Sequence, residues 1–126
     1  MNVLVDSSVW VDHFKQKNDQ LATLLRDHLV VCHPYIVMEV ACGTPPNRRA
    51  IIEMLGELES TTLATTNEIL SMLAGFRLYG RGCGLVDLSL FASVLLTDKV
   101  LLWTFDKRLE QVASERNKAY RPLLQS

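Results

Sequence analysis

Four acidic residues stand where a short chain can use them for chemistry: Asp6, Glu39, Asp87 and Asp106. Asp6 directly follows the apolar run Val3-Leu4-Val5, and Asp106 closes the stretch Val100-Leu101-Leu102-Trp103-Thr104-Phe105. Both apolar runs read as strands buried on both faces. In open parallel sheets ligands gather at the carboxyl ends of strands, so the two carboxylates are expected on one rim. Asp87 opens a helix just after Gly80-Arg81-Gly82-Cys83-Gly84. Glu39 lies in a helix among Ile36, Val37, Val40 and Ala41, one residue beyond the apolar stripe.

Carboxylates held close together raise one another's pKa values. A hard divalent cation removes that cost, because Mg²⁺ and Mn²⁺ prefer oxygen ligands. Such an ion can orient a water nucleophile and neutralise charge on a phosphodiester. The sequence offers no nucleophilic pairing of Ser, Cys or His, so the acids point to hydrolysis of a phosphate ester. Each acid alone has a plainer explanation. An Asp at a helix start is ordinarily a cap, and a single helical Glu is ordinarily solvated. The four together on one expected rim outweigh those separate explanations.

Bulk properties narrow the alternatives. The 126 residues fit one domain, 1–126, and an apolar share of 48% supplies a core. The formal net charge of −1 does not by itself mark a nucleic-acid binder, so that case rests on the site. The cysteines, Cys32, Cys42 and Cys83, are odd in number and contain no close pair. They read as free thiols, not as a zinc site or a disulfide framework. The first apolar run is too short for a signal peptide and lacks its positive flank. No stretch is long enough to span a membrane, and a cytoplasmic location is expected.

Short strands alternating with helices predict an α/β layer with a mostly parallel sheet. A helix follows Asp6 through Trp10, Val11 and Phe14, and a second begins near Asn18. Val30-Val31-Cys32 is a strand, Pro34 starts a helix, and Gly43 ends it. Arg48 to Leu58 is helical. Thr61-Thr62-Leu63 and Ala119-Tyr120 are expected as short strands, the latter at an edge. Asn67 is expected to cap a helix over Glu68 to Tyr79. Asp87 begins the next helix, and another runs through Leu109, Val112 and Ala113.

His33 reads as structural or as a substrate-side group. His13 and His28 read as helix-surface groups, Asp12 as solvent-facing and Asp98 as a turn residue. Arg77, Arg81, Lys107 and Arg108 flank the acids in sequence. As a set they are expected to line a path for RNA phosphates, and singly each reads as solvated. Other chemistries fit less well. An aspartyl-phosphate hydrolase wants an Asp where Ser8 stands. A phospho-receiver domain wants a phosphorylated Asp after a middle strand and a late Lys. Dinucleotide binding wants a Gly-rich fingerprint after the first strand.

The ordered set of motifs resembles the PIN-domain family, and the VapC toxins in particular. Val3 to Asp12 is similar to the family's opening, and His33-Pro34 through Glu39 with Ala41 and Gly43 to its middle. Gly82 to Leu88 and Leu102 to Leu109 resemble its later acidic motifs, although no second acid stands beside Asp106. The resemblance implies a PIN-like three-layer α/β fold, a central mostly parallel sheet flanked by helices. It implies a toxin of a type II toxin–antitoxin system that acts as a Mg²⁺- or Mn²⁺-dependent endoribonuclease. Asp6, Asp87 and Asp106 carry over as metal ligands, and Glu39 as the helix acid acting through water. Ser8 and Thr104 carry over as groups that hold those carboxylates in register. The resemblance also implies an RNA substrate, a VapB-like antitoxin and a homodimer. A non-catalytic PIN-like binding scaffold is the remaining alternative.

Overall fold

The computed structural model describes residues 1–122. Its centre is a sheet of three parallel strands: β1 (Asn2–Val5), β2 (Val30–Val31) and β3 (Val100–Trp103), in the order β2-β1-β3. Val3 pairs with Val30 on one side and with Leu101 on the other, and Val5 pairs with Trp103. Strand β1 is therefore central, which explains its uninterrupted apolar run: Val3, Leu4 and Val5 are all buried.

Seven helices flank the sheet among the described residues: α1 (Ser7–Lys15), α2 (Asp19–Arg26), α3 (Pro34–Cys42), α4 (Arg48–Glu57), α5 (Thr66–Gly75), α6 (Leu85–Leu96) and α7 (Lys107–Glu115). The α/β architecture is the expected one. Helix α6 is the most enclosed, with every residue from Leu88 to Val94 buried. One continuous core joins β1, β3, α6 and α7 through Leu4, Leu90, Phe91, Leu102 and Leu109. The chain leaves β1 to build β2 on one side and later returns to build β3 on the other. The gap outside the carboxyl ends of β1 and β3 is thus the topological switch point, where open α/β sheets bind ligands.

Several local expectations change. The expected strand at Thr61-Thr62-Leu63 is a single parallel bridge, Cys32 to Ser60, and the chain then runs free of pairing. The edge strand at Ala119-Tyr120 is also one bridge, Leu102 to Ala119, closed by Leu102 N–H to Lys118 O and Tyr120 N–H to Leu102 O. Asn67 does not cap α5. Thr65 does, in a capping box whose other half is Glu68. That helix stops at Gly75, and Arg77 turns the chain at φ 54°. His13 is not a free surface group. Its Nδ1 accepts the Asn18 N–H at 2.9 Å, and its ring meets Trp10 edge-on. Asp12 is half-buried and accepts weak bonds from Gln16 and Asn18. His33 is buried, and burial holds its imidazole below the usual value. Its Nδ1 caps α3 by accepting the Tyr35 N–H at 3.0 Å, so its role is structural.

Candidate active site

Asp6 is the anchor of the rim. Its backbone N–H bonds Trp103 O at 2.8 Å, which continues the β1–β3 ladder by one residue. That register forces its buried carboxylate to the sheet's carboxyl end. Asp6 stands at the N-cap of α1, yet its side chain makes no cap bond. Instead Oδ2 accepts from Ser8 Oγ and from Thr104 Oγ1, both at 2.8 Å. Those hydroxyls are themselves fixed. Ser8 Oγ accepts the Phe105 N–H, and Thr104 Oγ1 accepts the Asp106 N–H, each at 3.0 Å. Hydroxyls that both donate and accept thus tie the end of β1 to the end of β3.

Asp106 lies just past β3 and caps α7. Its Oδ1 accepts from the Arg108 and Leu109 N–H groups, both at 3.0 Å. The plain explanation and the chemical one hold together here, because a capping carboxylate keeps its second oxygen. Asp87 does not begin its helix; Gly84 is the N-cap, and Asp87 sits in the first turn of α6. Glu39 reaches the rim from α3, where Ser7 Oγ donates to its Oε1 at 3.0 Å.

Electrostatics show that these acids share a field. Burial is the main cause that raises the Asp87 carboxyl; Asp6 and Asp106 raise it further, and the Gly84 backbone partly opposes them. Burial also leads for Glu39, with Ser7 opposing and Asp6 and Asp87 adding to the rise. The structure thus brings Asp6, Glu39, Asp87 and Asp106 to one rim. None of the four forms an ion pair among the described residues.

The donor set is all oxygen, which fits a hard divalent cation that keeps several waters. Among the described residues, no three His, Cys, Asp or Glu side chains are drawn tightly enough to hold an ion as they stand. The fit is therefore one of donor chemistry and shared charge, not of a closed cage. Two of the thiols are held from ionising: burial pushes Cys32 up to about 11, and burial leads the rise of Cys83.

The basic residues divide. Arg77 and Lys107 are exposed. Arg81 is engaged by Glu115, with its two guanidinium nitrogens each 2.7 Å from a carboxylate oxygen. Arg108 lies across Gly82, where an added Cβ would come within 2.6 Å of Nη1. Sequence reasoning missed the Glu115 partner and the part played by Ser7. Phe105, half-exposed between Thr104 and Asp106, was also not singled out.

No protein-family model matches the chain. Two relatives do: Ribonuclease VapC32 of Mycobacterium tuberculosis, from strain CDC 1551 / Oshkosh and from strain ATCC 25618 / H37Rv. Each is 38% identical over 113 residues, which covers 90% of this chain and 91% of the relative. Likeness of that extent shows the family, and the chain belongs to the VapC family of PIN-domain ribonucleases.

Proposed function

We propose that this protein is the toxin of a type II toxin–antitoxin pair, an endoribonuclease that uses Mg²⁺ or Mn²⁺ at its acidic rim. One observation carries the site assignment. Four carboxylates share a field at the switch point of the sheet, and no cationic side chain among the described residues pairs with them. The names of the two relatives support the substrate class.

Asp6, Asp87 and Asp106 would hold the ion. When bound, it supplies charge neutralisation at the phosphodiester and a more acidic water. The protein's own groups do the rest. Ser8 and Thr104 occupy Oδ2 of Asp6 and leave Oδ1 without a protein donor. Glu39, whose carboxyl burial raises above its ordinary value, would take a proton from the attacking water. Arg77, Lys107 and Arg108, all exposed, would contact phosphates of a single-stranded or looped RNA. A VapB-like antitoxin would silence the site by placing a cationic group against the acids. A homodimer in the cytoplasm completes the reading.

The test is cleavage of RNA with added Mg²⁺, together with growth of cells expressing the chain. Asp6→Ala and Asp87→Ala should each abolish cleavage and growth arrest while remaining folded. Co-expression of the neighbouring antitoxin should relieve arrest by the unsubstituted chain. Full cleavage by both variants would remove the acids from the mechanism. Absence of cleavage by the unsubstituted chain, with RNA still bound, would favour the scaffold.

A further inference from the structure

The connection between α5 and α6 is rich in glycine and in left-handed backbone. Arg77, Gly80 and Gly82 take φ values of 54°, 72° and 85°. A Cβ at Gly80 or Gly84 would meet nothing within 4 Å. Glycines of this kind give a chain freedom, not position. Yet this segment delivers the first turn of α6, and with it Asp87.

Leu78 pins the start of the segment in the core, with its N–H bonded to Leu73 O at 3.0 Å, and α7 holds the part beyond it. Arg81 donates through both Nη atoms to Glu115, at 2.7 Å each. Arg108 lies over Gly82, in space that only a glycine leaves open. Arg116, at the C-cap of α7, places Cζ 3.7 Å from the centre of the Phe76 ring. The same helix opens at Asp106. Nine helical residues make a rod about 13 Å long. One end of that rod therefore carries an acid of the rim, and the other grips the loop that carries the next acid.

We propose that the Arg81–Glu115 pair is a positioning latch that sets Asp87 relative to Asp106 and thereby tunes the affinity of the rim for a divalent cation. The inference rests on the metal-dependent reading above. An exposed ion pair adds little to global stability, but a two-point fork fixes an orientation that one bond would leave loose. Neither Arg81 nor Glu115 touches the reacting atoms in this account.

The test is direct Mn²⁺ titration of the full chain, with free ion followed by electron paramagnetic resonance and melting temperature measured alongside. Arg81→Ala and Glu115→Gln should weaken Mn²⁺ binding about three- to tenfold, less than the roughly 10–100-fold for a direct partner of a ligand. Their melting temperatures should stay close to that of the unsubstituted chain. Arg81→Lys should recover little, because it lacks the fork. The reversed pair, R81E with E115R, should recover most of the affinity. Single variants that bind as tightly as the unsubstituted chain overturn the latch, as does a reversed pair no better than the singles. Affinity losses that merely track lowered melting temperatures overturn it too. In each of those cases RNA cleavage by the unsubstituted chain persists, and the ribonuclease reading stands. An unsubstituted chain that binds no Mn²⁺ overturns that reading and the latch together.

Discussion

Asp6 owes its usefulness to two hydroxyls. Thr104 Oγ1 donates to Asp6 and accepts from the Asp106 N–H, so one atom serves two acids. Thr104→Val should leave that N–H without its acceptor and Asp6 with one fewer donor, at a cost of about 1–3 kcal/mol. Denaturant unfolding would measure the loss, and Thr104→Ser should recover it together with RNA cleavage. Asp87 makes the opposite trade. Burial, then Asp6 and Asp106, raise its carboxyl above the ordinary value. The folded chain then keeps a proton over a pH range where the unfolded chain has released it. Stability therefore falls as pH rises through that range, and stays lowered above it. Asp87→Asn should raise the melting temperature by roughly 2–4 °C near neutral pH, while cleavage is lost. The gain should disappear below about pH 3, where both states are protonated. A variant that melts lower at neutral pH would show that Asp87 is not under repulsion.

At the scale of elements, α7 has two duties that separate experimentally. Asp106 caps it with Oδ1 and stands in the field of Asp87. Asn is as good a cap as Asp, whereas Ala costs about 1 kcal/mol. Asp106→Asn should therefore melt close to the unsubstituted chain and still cleave RNA poorly. Asp106→Ala should lose both stability and activity. If Asp106→Asn cleaves at the full rate, Asp106 is a cap and nothing more. Helix α6 shows the same economy from the other side. Leu88 to Val94 are buried, so a reactive group must sit at an end of the helix, and Asp87 occupies the first turn.

For the whole molecule, the rim is a concentration of like charge in a chain of net charge −1. A divalent ion that binds the folded state alone should stabilise it by mass action, by about 2.7 kcal/mol at a hundredfold excess over Kd. Melting temperature should rise with Mg²⁺ or Mn²⁺ in the unsubstituted chain and stay flat in Asp6→Asn. An equal rise in both would locate the ion elsewhere. No helix among the described residues is long and apolar enough to cross a membrane.

Strands β1 and β3 were legible because burial on both faces demands unbroken apolar runs, and the acids that end them were legible for the same reason. The helix starts near Asn18 and at Pro34 were legible because the residues that begin a helix lie next to it in the chain, whereas the cap that His33 provides was not read. Glu39 and Asp87 were grouped with the strand-end acids on the expectation of one rim, and the resemblance to VapC proteins added a role for each. Contacts across long separations were another matter. That Thr104 bonds the same oxygen of Asp6 ninety-eight positions away, that Glu115 grips Arg81 thirty-four positions away, and that two expected strands shrink to single bridges are decided by how helices pack on the sheet. Chain order alone cannot express that packing, because each partner looks like an ordinary polar residue until the fold sets the other beside it.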